Sequence, residues 1–190
     1  MALSDILIRI GRVEDAPLLA NVHVASWRET YVGILPDAML AALSVESRTA
    51  MWARVMDQPA SPGSTVIHLA ELNEELVGFG SCGAQHAENL KAKGFGGEIS
   101  AIYVLRPFQK RGIGTLLLRT MASDLVNRSL TAASLWVFRD NLVARRFYER
   151  NGAQVIDERE DVRNDAVLVE VAYGWADLTQ FSRPSKRFLP

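Results

Sequence analysis

The stretch Glu98-Ile-Ser-Ala-Ile-Tyr-Val104, followed by Pro107 and then Gln109-Lys-Arg-Gly-Ile-Gly-Thr115, decides how this chain folds. The first seven residues are mostly β-branched or apolar and read as a strand. Pro107 breaks that strand, and the pattern from Gly112 to about Asn127 is that of a long amphipathic helix. Glycines at 112 and 114 let the backbone turn tightly and approach a ligand with no Cβ in the way. A helix opening there leaves its first N–H groups unpaired, with about half a positive charge behind them. That arrangement is an anion site, and Lys110 and Arg111 add charge beside it. No Gly-Lys-Ser/Thr is present, so the loop matches a nucleoside triphosphatase poorly.

The surrounding charge agrees with this reading. Residues 101–150 carry a net charge of +6, while residues 1–50, 51–100 and 151–190 carry −2, −3 and −2. A local positive field in a chain of net charge −1 suits a small polyanion. It does not suit a general nucleic-acid binder, which is basic throughout.

Working outward, Ile6-Leu-Ile-Arg-Ile10 reads as a strand. Asp15 and Pro17 open a helix whose apolar stripe runs Ala20, Val24, Trp27, Tyr31 and which Gly33 ends. Two further helical stretches run from Pro36 to about Leu43 and from Ser44 to Met56. Strands follow at 65–71 and 76–82, joined across Asn73-Glu74 as a hairpin. The polar, Gly-rich segment from His86 to Gly97 reads as a loop. Beyond the long helix come a buried strand at 133–138, a helix from Leu142 to Asn151 stopped by Gly152, and a hairpin of Gln154–Val162 with Ala166–Trp175 across Arg163-Asn164-Asp165.

The fold class is therefore α/β: one domain over residues 1–178 on a mixed sheet of about seven strands flanked by helices, with a C-terminal tail at 179–190 that is expected to be loosely ordered from Phe181 to Pro190. The strands at 98–104 and 133–138 lie parallel through a crossover helix.

With 190 residues, 48% of them hydrophobic, the chain has enough material for a core without metal or disulfide. Its one cysteine, Cys82, forms no internal disulfide and no Cys-rich zinc site. The start lacks the charged and apolar regions of a secretory leader. No run of 18 apolar residues spans a membrane, so a cytoplasmic protein is expected.

Several motifs fail on context. Gly78-Phe-Gly-Ser-Cys-Gly83 has the letters of the dinucleotide fingerprint, but its glycines sit inside a strand pattern with no helix opening in the motif. His86-Ala-Glu88 echoes a zinc deaminase, yet no Cys pair follows it. His23, His68 and His86 are isolated and read as structural or surface residues.

Two blocks resemble the GNAT superfamily of acyl-CoA-dependent N-acyltransferases. Gln109, Gly112 and Gly114 match its Gln/Arg-x-x-Gly-x-Gly/Ala pattern. Asp140-Asn-Leu-Val-Ala144-Arg-Arg-Phe147-Tyr148-Glu-Arg-Asn-Gly152-Ala153 matches the second block, except that Ala153 replaces its final Phe.

The resemblance implies a cofactor and a mechanism. The pyrophosphate of acetyl-CoA would sit on Gln109, Lys110, Arg111, Gly112, Ile113, Gly114 and Thr115. Its pantetheine arm would lie along Ile102, Tyr103 and Val104, on a strand splayed from its parallel neighbour. The Ile102 N–H would face the thioester oxygen, and Asn141 would contact the arm. An amine would attack the thioester directly. Tyr148, a phenol protonated at neutral pH, would give the leaving thiolate its proton. Glu98 would take the amine's proton, directly or through water. Trp27 and Tyr31 would border the acceptor, although their stripe also suits core packing. No metal is implied.

The acceptor would be a small-molecule or peptide amine, and a homodimer is one assembly left open. Two readings of other classes stand beside the enzyme: a regulatory module that binds acyl-CoA without turnover, and an interaction protein with a fortuitous loop.

Overall fold

In a computed structural model, the protein is described over residues 5–59, 61, 63–163 and 166–181. Strand β1 (Ile6–Ile10) leads into α1 (Ala16–Thr30), α2 (Asp37–Ala41) and α3 (Val45–Met56). Then come β2 (Val66–Leu72), β3 (Glu75–Ala84), α4 (Glu88–Ala92), β4 (Gly97–Val104), α5 (Ile113–Asn127), β5 (Ala133–Phe138), α6 (Leu142–Arg150), β6 (Gln154–Arg163) and β7 (Ala166–Trp175). The seven strands form one sheet in the order β1-β2-β3-β4-β5-β7-β6, antiparallel except for the β4–β5 pair.

Each face of the sheet has its own cover. Leu117, Leu118, Met121 and Leu125 of α5 pack with Ile99, Leu135, Val137 and Trp175 on one face. Leu19, Ala20 and Trp52 of α1 and α3 pack with Leu69 and Phe79 on the other. The glycines that mimic the dinucleotide fingerprint belong to β3. A Cβ at Gly80 would stand 2.7 Å from Met121, so the small residue admits α5 to the sheet.

The segment expected to be a loop between His86 and Gly97 contains α4, a correction to the sequence reading. Polar composition hid it. Its one apolar anchor, Leu90, is fully buried, and a Lys91–Glu88 ion pair of 2.6 Å spans one turn. At the other end of the chain, Leu178–Phe181 forms a short 3₁₀ turn with Leu178 fully buried and Phe181 against Trp175. The stretch expected to be loosely ordered begins at Phe181, which belongs to this turn; its remainder, residues 182–190, lies outside the described residues, as do Asn164 and Asp165 of the final hairpin.

Two features open the sheet. The β4–β5 pairing has only two rungs, Gly97↔Ala133 and Glu98↔Ser134. On the other edge of β4, Ser81 pairs with Ala101 and Cys82 with Ile99, which leaves Ser100 as an extra residue. Such a bulge bends a strand and increases its twist. Beyond Ser100, β4 therefore diverges from β5, and a slot opens between two parallel neighbours.

Candidate active site

The slot widens into a cavity of about 800 Å³. Ile102, Tyr103 and Val104 line one side, Leu135, Trp136 and Val137 the other, and Gly112–Thr115, Asn141 and Tyr148 its α5–α6 end. The bulge decides which backbone groups face it. The Leu105 N–H donates to the Val77 carbonyl on β3 at 2.9 Å. Antiparallel N–H groups alternate in direction, so Tyr103 also points to β3, while Ile102 and Val104 present theirs to the slot. The Val104 carbonyl on that edge accepts the Gln109 side-chain amide at 2.9 Å, which ties the loop to the strand end.

The loop between β4 and α5 is a concave turn. Lys110 has φ 59° and Gly112 φ 84°, both left-handed. The first helical bond of α5 runs from the Leu116 N–H to the Gly112 carbonyl at 2.9 Å. The N–H groups of Ile113, Gly114 and Thr115 precede it and have no carbonyl within the helix to meet. Gly112, at the N-cap, has no side chain to cap them. Lys110 lines the same cavity, and the Arg111 guanidinium lies 5.5 Å from the centre of the Phe108 ring. An anion held there meets backbone donors, the helix dipole and positive side chains together.

Tyr148 reaches the slot because α6 starts where the sequence caps it. The Asn141 side chain accepts the Ala144 N–H at 3.1 Å, a helix N-cap, and Asn141 is itself buried. Two turns later Tyr148 points inward, 8% exposed. Burial, helped by the nearby Tyr31 oxygen, pushes its phenol well above the usual range. The phenol therefore keeps its proton throughout the physiological range.

The other expected site residues separate. Tyr31 lines the cavity, and its hydroxyl lies 2.9 Å from that of Tyr103. Trp27 does not line it; its ring packs 5.0 Å from Tyr31, with the Arg48 guanidinium 5.3 Å away. Glu98 stands at the last rung of the parallel pair, outside the cavity wall. Its carboxylate receives the His86 backbone N–H at 3.1 Å and lies 2.8 Å from His86 Nδ1. Ser100 and Trp136 line the cavity and were not singled out from the sequence. Ser100 had no local signal, since a bulge is a property of pairing. Trp136 read only as part of a buried strand.

Away from the slot, His68, Cys82 and Asp124 bring ligand-type atoms within 4.8 Å of one another. Arg128 already supplies the cation there: its Nη2 is 3.2 Å from the Asp124 carboxylate and 3.9 Å from Cys82 Sγ. No helix among the described residues is long and apolar enough to cross a membrane.

Comparison with known proteins points the same way. The model of the acetyltransferase (GNAT) family matches residues 25–153. An uncharacterized N-acetyltransferase of Bacillus subtilis, YuaI, is 30% identical over 175 residues, covering 92% of this chain and 95% of that protein. A probable N-acetyltransferase of Mycobacterium tuberculosis is 27% identical, covering 79% of this chain and 80% of its own. The crystal structure of the PaiA N-acetyltransferase from Thermoplasma acidophilum, solved in complex with coenzyme A, has a TM-score of 0.69 at 22% identity over 87% of this chain and 97% of that one. The family match covers both the anion loop and the Asn141–Ala153 block, and the B. subtilis relative extends the likeness along nearly the whole chain. This chain belongs to the GNAT family of acetyltransferases and is an acyltransferase.

Proposed function

We propose that the protein transfers the acetyl group of acetyl-CoA to a primary amine by direct attack on the thioester. The observation that carries this reading is the convergence of three features on one cavity: the anion cradle at the start of α5, the free β4 edge, and the buried Tyr148 hydroxyl. The pyrophosphate occupies the cradle from Gln109 to Thr115. The pantetheine arm adds to β4 as a strand would, using backbone groups of Ile102 and Val104.

The amine nitrogen attacks the thioester carbon, and negative charge builds on the carbonyl oxygen. The Ile102 N–H, directed into the slot, stabilises that charge. The carbon–sulfur bond then breaks, and Tyr148 gives its proton to the leaving thiolate, which departs as CoA thiol. The amine's proton leaves through water toward Glu98, whose carboxylate lies beyond the cavity wall. Tyr148 recovers its proton from solvent. The products are an N-acetylated amine and free CoA.

Tyr148, buried in the cavity wall, favours turnover over silent acyl-CoA binding, because a sensor has no use for a buried proton donor there. The test is a panel of amine acceptors with thiol release as readout. Acetyl-CoA-dependent thiol release with at least one amine supports the enzyme. Acetyl-CoA binding without release from any amine favours the regulatory module.

A further inference from the structure

The bulge in β4 re-aims one side chain. Ile99 packs on the α5 face of the sheet, while Ala101 and Tyr103 pack on the face covered by α1 and α3. In a regular strand Ile99 and Ala101 would share a face. Here they do not, because Ser100 is inserted between them. The Ser100 hydroxyl lies 2.6 Å from that of Ser81, which stands two residues beyond Phe79 on β3 and so on the α1 face. Glu98 alternates with Ile99 and faces the same way.

Burial fixes the polarity of the serine pair. Ser81 has no exposed surface, and among the described residues Ser100 Oγ is the one acceptor its hydroxyl meets. Were Ser100 the donor, the Ser81 proton would be buried without a partner, which native structures seldom tolerate. Ser81 therefore donates and Ser100 accepts. Ser100 is the exposed member of the pair, and it lines the cavity. A serine oxygen has two lone pairs and one proton. Ser100 thus keeps one lone pair and its own proton, and among the described residues that proton meets only the Ser81 carbonyl, at a long 3.4 Å.

Between its last rung with β5 and Ile102, β4 offers Ile99, Ser100 and Ala101. The Ser100 hydroxyl is the only polar side-chain group on that stretch, about 7 Å along the strand from Ile102 and about as far from Glu98. Glu98 Oε2 is engaged by His86, and Oε1 has no partner among the described residues.

We propose that Ser100 is the catalytic residue that takes the amine's proton out of the cavity and hands it toward Glu98. This rests on the acetyltransferase reading above. As the nitrogen–carbon bond forms, the nitrogen becomes positively charged. Its N–H bond breaks, and the proton goes to the free lone pair of Ser100 Oγ. Ser100's own proton passes at the same time, through water, to Glu98 Oε1. Ser100 begins and ends as a neutral hydroxyl. Glu98 ends protonated and returns the proton to solvent. Ser81, donating from beneath, holds the Ser100 oxygen in place throughout.

Steady-state rates of the full chain test this, with the amine that gives the fastest thiol release. Ser100→Ala is expected to lower kcat/KM several-fold, as Glu98→Gln does, while unchanged acetyl-CoA affinity shows the fold intact. Ser100→Thr keeps a hydroxyl and is expected to restore most of the rate. The double variant of Ser100→Ala with Glu98→Gln is expected to be about as slow as the slower single, because two residues on one path are lost together.

A Ser100→Ala enzyme with the wild-type rate overturns the proposal, and so do losses that multiply in the double variant. A Ser100→Thr enzyme as slow as Ser100→Ala overturns it as well, since the hydroxyl is then not what matters. Failure of the acetyltransferase reading looks different: the wild-type protein then binds no acetyl-CoA and releases no thiol with any amine.

Discussion

Gly114 in the first turn of α5 lies against Phe147 of α6: a Cβ added at Gly114 would come within 3.4 Å of Phe147 Cε2. The glycine therefore does two things at once. It leaves the backbone amides of the cradle open to a phosphate, and it lets α6 approach closely enough to hold Tyr148 in the slot.

Gly114→Val is expected to weaken acetyl-CoA binding about tenfold, a loss of about 1.4 kcal/mol. The added methyls press on Phe147 and crowd the amides. Calorimetric titration of the folded variant checks it, and unchanged affinity would refute the cradle. Gly112 is the matched comparison. Its φ of 84° is one that a side chain adopts at a cost of about 1–2 kcal/mol, so Gly112→Ala should lower the melting temperature as well as the affinity.

Tyr148→Phe removes one oxygen and keeps the ring contacts with Phe147 and Trp175. We expect kcat to fall about 100-fold with acetyl-CoA affinity nearly unchanged, since the lost interaction belongs to the transition state. Burial raises the phenol's pKa, so loss of its proton should not limit the wild-type rate as pH rises toward 10. A variant that turns over its amine at the wild-type rate would leave Tyr148 a packing residue.

Glu98→Gln is expected to lower kcat/KM several-fold while acetyl-CoA binding holds. The carboxylate lies outside the cavity wall and reaches the amine only through water, so the loss should be smaller than for Tyr148. Steady-state rates with one fixed amine decide it. A Gln variant as fast as wild type removes Glu98 from the proton path and leaves solvent as the base.

His23 makes folding sensitive to acid. Burial beside Trp27, Trp52, Phe79 and Tyr103 pushes its pKa down from 6.5 to about 3. The Arg48 charge acts in the same direction. The unfolded chain takes up a proton near 6.5, and the folded chain refuses it until much lower pH. The stability His23 protects is therefore complete above about 6.5 and drains away as pH falls toward 3. At pH 5 the loss is about 2 kcal/mol. Urea unfolding at pH 7 and pH 5 measures it. His23→Gln should be less stable at pH 7, because Trp52 Nε1 donates to His23 Nδ1 at 2.9 Å. It should lose less on acidification than the wild type.

Much of the fold was legible because its signals are local. Pro107, Gly112 and Gly152 mark where elements stop and start, and each acts within a few residues of itself. The elements at 6–10, 133–138 and 166–175 stand where alternation and β-branching put them. The helix α4 was missed because one buried leucine in a polar segment makes no periodic pattern.

The site divides along the same line. The anion cradle is a strand, a left-handed turn and a helix start in succession, so the order of residues 98–115 was enough to specify it. The slot beside it was not readable in that way from residue types alone. It depends on the β3–β4 register skipping Ser100 and on β4–β5 pairing that ends after two rungs. Register between strands comes from distant segments competing for the same edge, and no short stretch of chain encodes that competition. The Trp136–Arg159–Glu170 arrangement joins three strands for the same reason: β5, β6 and β7 had to align before a guanidinium could settle over an indole.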